Sequence, residues 1–130
     1  MKDTELFKRG LEIRKSVLGA DYVEKSIASA NEFNLPMQEL ATEWCWGEVW
    51  GRPGLEKKTR SIINLAMISA LNRPHELKLH VKGALNNGVT RDEIKEIFLQ
   101  VAIYCGVPAG IDSFRIAREV FDAIDAEKTK

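Results

Sequence analysis

Apolar residues recur every three or four positions through almost the whole chain, and no stretch alternates residue by residue. That is the period of helices buried on one side, not of strands. The pattern predicts a first helix over residues 4–18, with Leu6, Phe7, Leu11, Val17 and Leu18 apolar and Gly19 as its stop. A second covers 21–33 and ends at Asn34-Leu-Pro36. A third runs over 36–50, since proline is acceptable in a first turn, and precedes the turn Gly51-Arg-Pro-Gly54. A fourth, 55–72, is apolar on nearly every side between Ile62 and Leu71 and is expected at the centre of the fold. A fifth, 74–87, stops at Gly88, which can take a left-handed cap. Thr90-Arg-Asp-Glu93 is a capping-box sequence and opens a sixth helix, 90–104. Residues 105–110 read as a break, and a last helix covers 111–126. The expectation is an all-α fold of six or seven helices, a single domain over 1–130.

Charge narrows the partners. Lys plus Arg and Asp plus Glu number 19 each, so the net charge is zero. Nucleic acid and anionic membrane are therefore poor candidates, while little charge opposes self-association. The longest apolar stretch, 62–71, is interrupted by Asn64 and Ser69 and is too short to span a bilayer. The first ten residues lack the apolar core of a secretion signal. Cys45 and Cys105 stand 60 positions apart, with no CxxC and no metal-ligand spacing. The expected compartment is the cytoplasm with reduced thiols, and no metal is expected.

A few polar residues could carry chemistry. On an ideal fifth helix His80 falls beside the stripe Leu77–Val81–Ala84, with Glu76 one turn earlier. It is either a proton-transfer imidazole at a core margin or a surface histidine paired with Glu76. Arg60, one turn into the fourth helix, must find an anion if it faces a core: a structural carboxylate or one on a ligand. Arg52 and Arg73, from neighbouring connections, either lie on the surface or meet an anion of their own. The chain's three tryptophans lie within Trp44-Cys-Trp-Gly-Glu-Val-Trp50, where Trp46 and Trp50 are four apart and share a face. They could wall a pocket or fill a core. Glu43 and Glu48 flank them as possible catalytic carboxylates, or as solvated helix residues. Cys105 lies at a helix break, where it lines a ligand or fills space.

In order, Trp46-Gly-Glu-Val-Trp50, Arg52-Pro-Gly-Leu55, Thr59-Arg-Ser61, Glu76-Leu-Lys-Leu-His80, Ala84-Leu-Asn-Asn-Gly88 and Ala102-Ile-Tyr-Cys-Gly-Val-Pro-Ala109 resemble the carboxymuconolactone decarboxylase family. The likeness spans about residues 6–122. It implies an all-helical fold of the alkylhydroperoxidase-D-like superfamily, assembled as a homo-oligomer, typically a hexamer. The implied reaction converts γ-carboxymuconolactone, a dicarboxylate lactone, to β-ketoadipate enol-lactone and CO₂ without a cofactor, in the protocatechuate branch of the β-ketoadipate pathway. The implied roles are His80 for the proton or the dienolate oxygen, Glu76 or Glu48 to orient it, Arg60 with Arg52 or Arg73 as carboxylate anchor, and Trp46, Trp50 and Tyr104 as apolar wall, with Cys105 nearby. Thiol peroxidases of the superfamily carry a CxxC before the matching histidine and a glutamate upstream. Here those positions hold Arg73, Glu76 and Ser61, which argues against peroxidase chemistry. An enzyme of the superfamily acting on another lactone or keto acid, and a non-catalytic assembly module, are the remaining alternatives.

Overall fold

The computed structural model describes residues 1–129. Among them are seven α-helices and one π-helical segment, with no strand. They form two compact units, Met1–Lys57 and the residues from Lys58 onward.

The amino-terminal unit holds α1 (Glu5–Leu18), α2 (Ala20–Ala28), α3 (Leu35–Leu40) and the π-segment (Ala41–Val49). Thr4 caps α1, its hydroxyl accepting from the Phe7 N–H at 3.1 Å. Gly19, at φ 95°, makes the corner into α2. Helix α2 stops short of the expected residue 33 because asparagine side chains offer the backbone other partners. The Asn31 carboxamide oxygen accepts from the N–H groups of Phe33 and Asn34, and that of Asn34 accepts from the Asn31 N–H.

The single helix expected over 36–50 is wound in two ways. Beyond Leu40 the backbone opens into π geometry, closed by the Trp50 N–H bonding to the Cys45 carbonyl five residues back. This segment lies along α1 at backbone contact. A Cβ on Gly10 would press into the Thr42 carbonyl and stand 2.8 Å from the Gly47 nitrogen, and one on Gly47 would stand 2.6 Å from the Leu6 carbonyl oxygen. Only glycine permits that approach. Arg14 is buried beneath it and donates from Nη1 to Gln38 Oε1 at 2.9 Å and Thr42 Oγ1 at 3.0 Å.

The second unit is built from α4 (Lys57–Ala70), α5 (Pro74–Asn86), α6 (Arg91–Cys105) and α7 (Val107–Lys128). Its core joins Leu65 of α4, Leu77, Val81 and Ala84 of α5, Ile94 and Phe98 of α6, and Ala117 and Val120 of α7. Helix α4 is not enclosed on every side as its composition suggests. Its inward stripe is Ser61–Leu65–Ser69, while Ile63 and Met67 are exposed. Small residues inward let α4 approach its neighbours closely and leave the larger ones outside. Thr90 and Glu93 form the expected capping box. The expected break at 105–110 shrinks to Gly106, at φ 111°. Pro108 sits in the first turn of α7, where the N–H it lacks would have had no partner. Beyond it, α6 and α7 meet where a Cβ on Gly110 would lie 2.5 Å from that of Ala102. Among the described residues no helix is long and apolar enough to cross a membrane.

Candidate active site

Helix α5 carries the imidazole. Leu77, Val81 and Ala84 are fully enclosed, and His80 sits on the edge of that stripe with 7% of its surface exposed. Of the two sequence alternatives, the structure has the core-margin imidazole. Burial pushes its pKa below the ordinary 6.5, and Glu76, exposed one turn earlier, opposes the shift. Burial is the stronger effect, so the ring is neutral at neutral pH.

The shift carries a sign for stability. Between the depressed native pKa and 6.5 the unfolded chain binds more protons at His80 than the folded one. Stability from this group is therefore complete above 6.5 and is lost as the pH falls towards the native pKa. We expect the urea midpoint to drop on acidification through this window, and the drop to shrink in His80→Gln. An unchanged slope in that variant would show that other groups set it.

Near this helix, Ser61 of α4 is fully buried, and its hydroxyl accepts from Asn87 Nδ2 at 2.9 Å, tying the start of α4 to the end of α5. Arg60, its neighbour in sequence, is half-buried. Arg73 is exposed at the head of α5 and donates to the Leu71 carbonyl at 3.2 Å. Tyr104 does not wall an enclosed hollow within this chain: its ring is 82% exposed. It projects from the end of α6 beyond the buried Ile94–Phe98–Val101 stripe. With the exposed Cys105 it borders an apolar groove of about 400 Å³ floored by Ile62, Ala66 and Val101. Both cysteines are exposed and outside any disulfide. Among the described residues no three His, Cys, Asp or Glu side chains gather as a metal set.

The other expected site residues belong to the amino-terminal unit. Trp46 and Trp50 are buried and stacked, their ring centroids 4.8 Å apart. Glu48 and Arg52 are exposed and paired with each other at 3.8 Å, one turn apart. The Glu48 carboxylate is thus exposed to solvent in this chain. Glu43, read from sequence with the same two alternatives, is 5% exposed. It accepts from the Thr4 hydroxyl and, at 2.9 Å, from the Lys2 ammonium, and these hold its carboxyl below the usual carboxylate range. Its partners lie 39 and 41 positions away, beyond the reach of any local pattern.

A buried neutral imidazole thus lies on a helix of an all-α fold, with Arg73 and Glu76 seven and four positions before it. The chain belongs to the carboxymuconolactone decarboxylase family, whose model matches residues 36–119. It is 44% identical over 121 residues to 4-carboxymuconolactone decarboxylase of Acinetobacter baylyi, covering 93% of this chain and 90% of that one. It is 45% identical over 126 residues to nitrosuccinic acid decarboxylase npaB of Metarhizium robertsii, covering 96% and 88%.

Proposed function

We propose that the chain is a carboxy-lyase that removes CO₂ from γ-carboxymuconolactone to give β-ketoadipate enol-lactone, as a cytoplasmic homo-oligomer in the protocatechuate branch of the β-ketoadipate pathway. The observation that carries this reading is the buried, neutral His80 in a chain so similar to a decarboxylase of that name over nearly its whole length. The electrons of the breaking C–C bond pass through the ring double bond into the lactone carbonyl. The carbonyl becomes a dienolate oxygen, and a ring carbon then takes one proton, supplied by solvent, in place of the CO₂ lost. His80, as a neutral imidazole, donates an N–H hydrogen bond to that oxygen as charge collects there. Glu76 orients the ring by its charge from one turn away.

Arg60 anchors the carboxylate that stays, as a planar fork matching two oxygens. Arg60→Lys keeps the charge and loses the fork. A charge-assisted hydrogen bond contributes about 1.5–3 kcal/mol, so KM should rise at least about ten-fold with a smaller change in kcat. An unchanged KM would remove Arg60 as anchor. Assembly is supported by exposed apolar side chains on α4, just after it and on α6, including Met67, Leu71 and Ile103, together with zero net charge. The direct test supplies the lactone to purified protein and follows loss of its absorbance with release of CO₂. Absorbance loss without stoichiometric CO₂ would refute the assignment. A second reading, decarboxylation of an acyclic dicarboxylate, is favoured by the likeness to the nitrosuccinic acid enzyme. Nitrosuccinate run in parallel, compared by kcat/KM, separates the two.

A further inference from the structure

A cleft of about 410 Å³ opens where the end of α4, the head of α5 and the early turns of α7 meet. Ser69, Arg73, Leu77, Asp112 and Arg115 line it, and neither His80 nor Arg60 does. Three features of this lining are those of an anion site. The head of α5 has no side-chain cap. Pro74 supplies no N–H, so the first-turn donors of His75 and Glu76 stand at the positive end of the helix. Ser69 is 3% exposed, and its hydroxyl has no hydrogen-bond partner, although a helical serine commonly bonds back to the carbonyl one turn earlier. Two guanidinium groups, of Arg73 and Arg115, line the cleft with one carboxylate, that of Asp112, which Arg115 holds at 2.7 Å. The lining thus carries one net positive charge.

We propose that this cleft binds one small organic carboxylate. Its two oxygens meet the Arg73 fork and the Ser69 hydroxyl, and Arg115 is shared between the ligand and Asp112. A single negative charge balances the lining, and Leu77, Ala109 and Ile116 give the ligand's carbon skeleton an apolar seat that inorganic phosphate cannot use.

Succinate is a suitable probe, and the full chain is titrated while its amide spectrum is recorded. The Ser69, His75 and Glu76 resonances should shift saturably. Arg73→Ala and Arg115→Ala, both at exposed positions, should each weaken binding about ten-fold or more. Ser69→Ala should weaken it a few-fold. Arg118→Ala, exposed on α7 and outside the cleft, should leave it unchanged. Unmoved amides, or a folded Arg115→Ala chain that binds like the original, would overturn the site. So would equal weakening by Arg118→Ala, which would mean general charge attraction, or phosphate binding as tight as succinate, which would mean any oxyanion. No arm requires turnover, so the outcome does not depend on the decarboxylation assignment.

Discussion

Replacing His80 with alanine should lower kcat about 10²–10³-fold while moving KM little. Removing one preorganised donor from a developing oxyanion has this effect on turnover. The ground-state lactone makes less of that interaction than the dienolate does, so substrate binding is spared. His80→Gln refines the result. A carboxamide can donate a hydrogen bond but cannot change its charge, so it should recover at least about ten-fold over alanine if donation is the task. A neutral imidazole also fixes the direction of the pH profile: activity is level above about 6.5 and declines on acidification below it, as the ring takes up a proton. Circular dichroism of each variant separates loss of chemistry from loss of structure. A folded His80→Ala enzyme turning over at the original rate would end the oxyanion role.

Gly10→Ala should destabilise the amino-terminal unit by about 3 kcal/mol or more, at the upper end of what overpacking costs. The added methyl meets the Thr42 carbonyl and the Gly47 nitrogen, and both are backbone, which cannot swing away as a side chain would. Gly54→Ala is the control. A Cβ there meets nothing within 4 Å, so that change should lie within about 1 kcal/mol of neutral. Trp44, Trp46 and Trp50 all lie in this unit, and their fluorescence reports its urea unfolding directly. A Gly10→Ala midpoint equal to that of Gly54→Ala would show that α1 and the π-segment are not held at backbone contact.

Much of the fold was legible because its signals are local. The stops at Gly19 and Gly88, the Thr90–Glu93 box and the apolar stripes of α5 and α6 each depend on residues within a turn or two. The π winding was not legible. It changes which carbonyl each N–H reaches while leaving the apolar spacing of Trp46 and Trp50 intact. The early start of α7 was hidden for a related reason: Gly-Val-Pro reads as a break, but one glycine turns the chain and the proline then opens the helix. In the candidate site, the position of His80 beside the Leu77 stripe could be read from helical spacing, and the structure adds its burial and hence its charge state. Glu43 and Ser61 are set by Thr4 and Asn87, 39 and 26 positions away, and such pairings exist only once the chain has folded.

The π-segment also bears on how this chain tolerates length changes. Formally it is an α-helix that has absorbed surplus residues, so a one-residue deletion between 41 and 49 could be accommodated by reverting to α winding. Residues beyond the deletion would keep their face, because the wider turns had already taken up the surplus. A one-residue deletion in the regular winding of α1 has no such slack and rotates everything downstream on that helix by about 100°. A lost codon is thus absorbed by the π-segment, whereas in α1 it dismantles the seam on which the first unit is assembled.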